Sequence, residues 1–233
     1  MKFTTFVAAP SGEDVPAFQT WFTTDYFQRF VEAGVGLASA VVRLSQPAPG
    51  QLPERRGDPS DPAHVAYHVM LESWFVTAED FRRTVRLVEP LLRSKDATFV
   101  SYRVTPMLEK DPRFAEAGNE GARPALTYVT PVSWRAGLPG AEARRHWDEH
   151  VSTALRVHAS LTKYERNWVD EVMSWSEGAT PVDGYADFSF RTVEDWDQFF
   201  PDEAARLEIA QDIANFIQSG SGVFLGDVVV AHG

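Results

Sequence analysis

Apolar residues recur along the chain with two different periods, and these periods predict where strands and helices form. Alternation of apolar and polar positions, typical of strands, covers four segments in each half of the chain. These segments are 2–9, 36–46, 64–75 and 97–108, then 123–132, 161–169, 184–190 and 222–232. Helical spacing covers roughly 15–33 and 141–157, and a further helix is predicted after the third strand of each half. Each half therefore has the predicted order β-α-β-β-α-β.

The junction after the third strand carries the same motif in both halves. The matched residues share one offset of 115 positions: Phe75 and Phe190, Thr77 and Thr192, Glu79 and Glu194, Asp80 and Asp195, Phe81 and Trp196. In each copy we predict that the threonine caps the helix and the aspartate bonds back to it, which stabilises a helix by roughly 1 kcal/mol. Two explanations are open: an internal duplication, or convergence of strand-to-helix junctions on the same cap.

The element order predicts an α+β fold of two ferredoxin-like β-α-β-β-α-β repeats. One such repeat covers one sheet face with helices and leaves the other bare, so two repeats can bury their bare faces against each other. We therefore expect a pseudo-dimeric α+β barrel in one chain, with a first half at 1–110, a linker at 111–122 and a second half at 123–233, together one structural domain. The Pro- and Gly-rich segment 45–64 is expected to be an exposed hairpin connection or a lid over a site.

Composition narrows the functional class. The 233 residues are 44% hydrophobic, which is enough for a packed core, and include no cysteine, so disulfides and thiolate chemistry are impossible. A formal net charge of -11 disfavours binding to a nucleic-acid backbone. No apolar run approaches the ~20 residues of a membrane span, and the N-terminal residues lack a signal-peptide pattern. We expect a cytoplasmic protein with neither a nucleic-acid nor a membrane partner.

The segment 142–167 holds three of the six histidines. On a helical projection His150 and His158 lie about 40° to either side of the buried stripe, and His146 lies about 80° away. These positions border core and solvent, where a pocket mouth would be, and imidazole suits acid–base chemistry near neutral pH. Tyr164 on the next strand could orient an imidazole or bind a substrate oxygen. The alternative is an ordinary amphipathic helix with one hydrogen-bonded buried histidine and two surface ones.

Cofactor sites on this helix are a separate question. His146 and His150 have the i,i+4 spacing of helical metal ligands, but the glutamate of an HExxH pattern is missing because Trp147 follows His146 directly. We therefore predict no metal site and no cofactor. Haem ligation by one of the histidines is kept as an alternative.

A second group of polar residues lies on strand 64–75. Period-2 alternation directs one set towards the helices: Val65, Tyr67, Val69, Leu71 and Phe75. The other set points into the predicted barrel: His64, His68, Met70, Glu72 and Trp74. On the matching strand Tyr185, Asp187 and Ser189 point inward too. The barrel then encloses either a wet cavity, in which Glu72, Tyr185 and Asp187 bind substrate opposite His68, or an internal hydrogen-bond network.

The stretch HWDEHVSTALRVHASLTKYERNWV, residues 146–169, resembles the EthD family of the dimeric α+β barrel superfamily. The positions that carry the resemblance are Trp147, Glu149, His150, Leu161, Tyr164 and Asn167. The proline that commonly follows the family's histidine is absent, since Val151 comes next. The first half keeps Trp21 but has Thr24 or Asp25 in place of the histidine and no equivalent tyrosine. The resemblance implies the barrel fold, but the superfamily includes cyclases, isomerases, monooxygenases, dehydratases and haem enzymes.

We expect a small-molecule enzyme without a nucleotide cofactor, because phosphate-binding glycine loops, GxSxG elbows and dinucleotide fingerprints are missing from the sequence. The expected chemistry is cyclisation, isomerisation, dehydration or cofactor-free oxygenation of a hydrophobic aromatic or polyketide-like substrate, which covers lyase, isomerase and monooxygenase types. His150 is the expected acid or base and Tyr164 its partner, with His146, His158 and His68 as further candidates. Trp147 is expected to contact substrate. The alternative is a non-catalytic ligand-binding or stress-related barrel, and edge strands could support a homodimer.

Overall fold

The computed structural model describes residues 1–49, 67–111, 126–220 and 222–232. The first half forms β1 (Lys2–Ala8), α1 (Val15–Trp21), a π-helical turn (Phe22–Tyr26), α2 (Phe27–Ala33), β2 (Leu37–Ser45), β3 (Val69–Phe75), α3 (Ala78–Ser94) and β4 (Thr98–Lys110). The second half forms β5 (Leu126–Trp134), α4 (Gly140–Val157), β6 (Lys163–Trp175), β7 (Gly184–Phe190), α5 (Val193–Asp197), α6 (Glu203–Ile213), β8 (Ile217–Gly220) and β9 (Val223–His232). His64, most of the predicted loop 45–64 and most of the predicted linker 111–122 lie outside the described residues.

Eight antiparallel strands close into a barrel, which confirms the predicted α+β class. The strand order is β7-β6-β4-β1-β3-β2-β9-β5, and pairing of β5 with β7 closes the ring. The short strand β8 also pairs with β5, beyond the end of β9. Within the first half the order is β4-β1-β3-β2, and within the second it is β9-β5-β7-β6. Contacts between the halves run through the long β4–β6 ladder and the β2–β9 ladder.

The side chains on the two faces of the barrel wall pack into different cores. Outward-facing apolar side chains pack under the helices and form one core in each half. Inward-facing side chains from both halves fill the barrel itself, around Phe6, Met70, Val100, Tyr102 and Tyr185. The barrel interior is therefore a packed core, as expected for an eight-stranded barrel whose lumen is only wide enough for side chains. None of the described helices has the length and apolar character to span a bilayer.

Aromatic spacing explains the π-helical turn between α1 and α2. Phe18, Phe22, Tyr26 and Phe30 follow one another at intervals of four residues, and all four are buried in the first-half core. An ideal α-helix has 3.6 residues per turn, so a strict four-residue repeat drifts away from the sheet. One wider turn corrects the drift and keeps the aromatic side chains on the buried face.

The predicted threonine caps are confirmed in both halves, but the predicted return bond from the aspartate to the backbone N–H of the threonine is present only in the second half, between Asp195 and Thr192. Thr77 Oγ1 accepts the backbone N–H of Asp80 at 3.1 Å, and Thr192 Oγ1 accepts that of Asp195 at 3.1 Å. The helices that follow differ, which corrects the expectation of matching helices. In the first half α3 runs on for 17 residues, whereas α5 ends after 5 and the chain restarts as α6. Pro201 lies between them, and proline lacks the N–H that helix continuation needs and disfavours the helical conformation before it.

The predicted orientation of Tyr67 is wrong. Its ring lies inside the barrel, 5.0 Å from that of Phe6, and does not face the helices. The reason is that β3 begins at Val69, two residues later than the alternation requires. Strand periodicity therefore does not apply at this position.

Ion pairs join the halves inside the barrel, so the hydrogen-bond network is the better of the two explanations for its polar residues. Lys2 Nζ lies 2.6 Å from carboxylate oxygens of both Glu72 and Glu165. Asp187 Oδ2 accepts from Arg43 at 2.9 Å and from Lys163 at 2.8 Å. Arg43 also lies 3.0 Å from Glu72. Burial alone would raise the pKa of Asp187, but Lys163 and Arg43 hold that pKa below its ordinary value.

Candidate active site between helix and sheet

A cavity of about 290 Å³ lies in the second half between the barrel wall and the helices. Its floor comes from the outward face of the sheet, where Tyr128, Ala186 and Phe188 line it. The helix α4 forms one wall, and α6 forms a roof through Ile209 and Ile213. The space is at the lower end of small-molecule pockets, which measure about 300–1,000 Å³. It therefore fits a compact, largely apolar ligand.

His150 is bound to a carboxylate and lines this cavity. Its Nδ1 lies 2.8 Å from Asp212 Oδ2, and its side chain is 8% exposed. A carboxylate can only accept, so Nδ1 carries the proton and the other nitrogen, Nε2, presents a lone pair in the neutral ring. Burial lowers the pKa of His150, and the hydrogen bond to Asp212 partly opposes that effect. A neutral, oriented imidazole in an apolar cavity is suited to accept a proton.

His158 is a second neutral imidazole on the same cavity. It follows the last residue of α4, its Nδ1 donates to the backbone oxygen of Phe199 at 2.6 Å, and its ring stacks on that of Phe199 at 3.8 Å. Burial lowers the pKa of His158 to about 4. Because a carbonyl only accepts, His158 Nε2 also carries a lone pair. The cavity thus holds two acceptor nitrogens with fixed tautomers.

Tyr164 supplies a donor to the same space. Trp147 Nε1 donates to the hydroxyl oxygen of Tyr164 at 3.2 Å, which leaves the hydroxyl proton for another acceptor. Burial raises the pKa of Tyr164, so the hydroxyl stays protonated at neutral pH. Trp147 is seated against Gly184, where an added Cβ would lie 2.8 Å from the indole ring. The sequence folds this way because β7 presents a glycine where the indole must approach the backbone.

A buried cation lies behind the cavity wall. Arg166 stacks its guanidinium over Trp168 at 5.0 Å and over Trp147 at 5.6 Å. It donates to Asp148 at 2.8 Å and pairs with Glu109 of the first half. The positive charge of Arg166 contributes to lowering the pKa of His150, and it opposes the burial that raises the pKa of Tyr164. It therefore also favours negative charge that develops on a ligand in the cavity.

The structure divides the predicted site residues into three groups. His150, His158, Tyr164 and Trp147 meet at the cavity. His146 does not line it and lies at the edge of the α4 core contact, near Glu142 and Glu149 and 6.4 Å from the ring of Phe216.

The third group lies on the opposite face of the sheet. Glu72 and Asp187 are paired with cations inside the barrel, and Tyr185 shares a 2.7 Å hydrogen bond with Thr4 there. His68 precedes β3, and its Nδ1 accepts the N–H of Ala9 at 2.9 Å. The barrel wall therefore separates these residues from His150.

The residues that could ligate a metal also lie in the barrel. Among the described residues, Glu72, Glu165 and Asp187 place carboxylate oxygens within 4.8 Å of one another. Lys2, Arg43 and Lys163 already neutralise these three carboxylates at ion-pair distances. A metal ion would have to displace them, so the cluster is better understood as a structural ion network.

Sequence reasoning missed Asp212 and Phe199, the two partners that orient the histidines. Asp212 lies on α6, which is separated from α5 by an interruption between Asp197 and Glu203 that periodicity did not reveal. Phe199 orients His158 through both its backbone oxygen and its ring, and neither contact could be found from the sequence because residues 158 and 199 meet only through tertiary packing. The doublet of Phe199 and Phe200 before a proline was the one available indication of a turn at this place.

Comparison with known proteins supports the reading of the second half. The family described as EthD domain matches residues 135–220. The second half of the chain is EthD-like. An anthrone oxidase-like protein shares the fold, with a TM-score of 0.64 and 8% identity over 99% of this chain and 92% of that one. A candidate monooxygenase from Lactobacillus acidophilus NCFM has a TM-score of 0.50 and 7% identity over 99% of this chain and 95% of that one. No curated protein sequence matches the chain.

A haem does not fit the EthD-like half. The macrocycle is much larger than a compact ligand, whereas the cavity measures about 290 Å³. We therefore assign no chemical step to haem.

Proposed function

We propose that the protein is a small-molecule enzyme in which His150 removes a proton from an apolar, aromatic or polyketide-like substrate. The observation that carries this proposal is the His150–Asp212 pair. It fixes the imidazole as a neutral base whose Nε2 has no hydrogen-bond partner among the described residues and whose ring lines the cavity. A base with this arrangement typically accelerates proton transfer by about 10²–10⁴-fold.

Tyr164 is the proposed partner for the negative charge that proton removal creates. Its hydroxyl already accepts from Trp147, which polarises the O–H bond towards a ligand oxygen. An oriented donor of this kind is most effective when water is excluded. Aromatic and aliphatic side chains line most of the cavity, and a bound substrate would displace water from between them.

Among the reactions considered, we favour oxygenation by O₂ without a bound cofactor. The names of the structural neighbours, anthrone oxidase-like and candidate monooxygenase, point this way, and neither name points to a lyase or isomerase. Proton loss from an activated CH₂ gives an electron-rich carbanion that can reduce O₂. The balanced change is CH₂ + O₂ → C=O + H₂O, in which the carbon loses four electrons and O₂ gains four.

We also propose that the two halves are repeats that form a pseudo-dimeric barrel, and that only the second keeps a reaction site. The matching strand orders and the matching threonine caps support this proposal. The boundaries 1–110 and 123–233, a homodimer and a cytoplasmic location stay predictions.

The first test uses 1,8-dihydroxyanthrone as a probe, with an oxygen electrode and ¹⁸O₂. We expect the wild type to accelerate quinone formation with one ¹⁸O atom in the product. His150→Gln should lower the rate by at least about 100-fold. His146→Gln, on the same helix but outside the cavity, is the matched control and should behave as wild type.

Two results would redirect the proposal. Equal rates for wild type and His150→Gln would remove His150 as the base. Quenching of tryptophan fluorescence by the probe, without any turnover, would favour the ligand-binding alternative. An absorbance scan of the purified protein for a Soret band tests the haem alternative in the same preparation.

A further inference from the structure

The carboxylate that orients His150 does not come from the helix that carries His150. His150 lies on α4, whereas Asp212 lies near the end of α6, the helix that roofs the cavity. The two side chains meet at 2.8 Å across the helix–helix contact. The base and its partner are thus brought together only by the packing of α6 on α4.

The attachment of α6 is limited. Ile209 is its one fully buried side chain. The polar contacts described between α6 and α4 are the His150–Asp212 bond and the exposed ion pair between Arg156 and Glu208. Exposed ion pairs contribute little to stability, with a median of about 0–1 kcal/mol. A roof held in this way can separate from α4 at modest cost, as parts with few buried contacts do.

If α6 separated from α4, His150 would no longer be held in the tautomer whose Nε2 lone pair can accept a proton. Without the carboxylate, the proton of the neutral ring can move to Nε2, and the cavity then faces a donor where a lone pair is needed. The same logic holds in other enzymes in which a carboxylate fixes the tautomer of a histidine.

We propose that Asp212 is the positioning residue for His150, and that the base is complete only while α6 is seated over the cavity. The proposal rests on the proposed role of His150 as a base. Entry of substrate and assembly of the base are then linked, because the helix that closes over the ligand also delivers the carboxylate.

The test is a side-chain ¹⁵N NMR titration of the histidines in the full chain, with His150→Gln used to assign the His150 signals. In wild type we expect a protonated Nδ1 and an unprotonated Nε2 above the pKa of His150. In Asp212→Asn the Nδ1–H signature should be lost or mixed with the other tautomer. The pKa of His150 should also fall further, because the negative charge that raises it is gone.

Glu208→Gln is the matched control, because it neutralises the carboxylate of the ion pair with Arg156 in the same way, without touching His150. Hydrogen exchange of the α6 amides should rise in both variants, whereas the His150 tautomer should change only in Asp212→Asn. Unchanged His150 signals in Asp212→Asn, or equal changes in both variants, would overturn the proposal. If the tautomer changes as expected but probe oxidation is the same in wild type and His150→Gln, the proposed function fails and the pairing stands.

Discussion

The two halves share one strand order but use the space between helix and sheet in opposite ways. In the first half Phe18, Phe22, Tyr26 and Phe30 fill that space. In the second half the corresponding helix α4 buries smaller residues beside its tryptophan, among them Ala143 and Ala154, and a cavity remains. The topology is therefore a scaffold, and side-chain volume decides whether it becomes a packed core or a binding site.

The broken helix is the second difference. The continuous α3 packs Phe81, Val85, Val88 and Leu92 into the first-half core. In the second half the break after α5 lets α6 stand over the cavity as a roof. The interruption between Asp197 and Glu203 thus replaces one long core helix by two short ones, and the second carries part of the site.

The largest predicted change is in the free energy of unfolding, and it tests whether the space between helix and sheet in the first half is fully packed. Phe30 is fully buried and meets Phe75 edge-on at 5.9 Å. Phe30→Ala should lower the free energy of unfolding by about 3–5 kcal/mol. Phe200→Ala, at a half-buried residue lining the cavity, should cost less than about 2 kcal/mol, since its neighbours already border empty space. Urea unfolding measures both, and equal losses would contradict the comparison.

Acid should destabilise the second half through His158. Burial lowers the folded-state pKa of His158 to about 4, whereas the unfolded chain takes up that proton near pH 6.5. The unfolded state binds more protons between these values, so stability falls as the pH drops from about 6.5 to 4, by up to about 3 kcal/mol. His150, whose pKa burial also lowers, adds in the same direction.

Unfolding curves between pH 7 and 4 measure this loss. His158→Gln should flatten the dependence, and His146→Gln should leave it as in wild type. A wild-type stability that does not change over this range would show that His158 is not held neutral by burial.

A matched pair of substitutions sharpens the contrast in packing. Ala40 is fully buried in the first-half core, and Ala186 lies on the cavity floor. Ala40→Leu should cost about 1–3 kcal/mol because no room exists for the added carbons. Ala186→Leu should cost less than about 1 kcal/mol and should abolish binding of the anthrone probe, measured by tryptophan fluorescence. Retained binding would place the ligand elsewhere.

The smallest expected effect concerns a feature that the halves share. Thr77→Ala and Thr192→Ala each remove one helix cap, and each should lower stability by about 1 kcal/mol, whereas the serine variants should stay close to wild type. Thermal unfolding compares them. If only one of the two alanine variants lost stability, the two junctions would contribute differently to stability although they share the same sequence motif.

The sequence predicted the fold well because the alternation of apolar and polar residues within a strand shows which of its side chains are buried on each face. The alternation over 184–190 gave both the bounds of β7 and its two faces, with Tyr185 and Asp187 inward. It did not show that the cavity lies on the other face, because that depends on the volume left between α4 and the sheet. Nor did it find Asp212, since the position of α6 follows from tertiary packing after Pro201.

The ion network inside the barrel has a consequence for any attempt to cut the polypeptide. The ion network described above takes three charged residues from each half. The first half supplies Lys2, Arg43 and Glu72, and the second supplies Lys163, Glu165 and Asp187. If the two halves were separated, the three charges of the first half would leave a net charge of about +1 on its inner sheet face. Those of the second half would leave about −1 on a face that is buried in the intact barrel. Fragments of this chain should therefore be insoluble or unfolded apart, yet able to reconstitute when expressed together, as two parts of a split protein do.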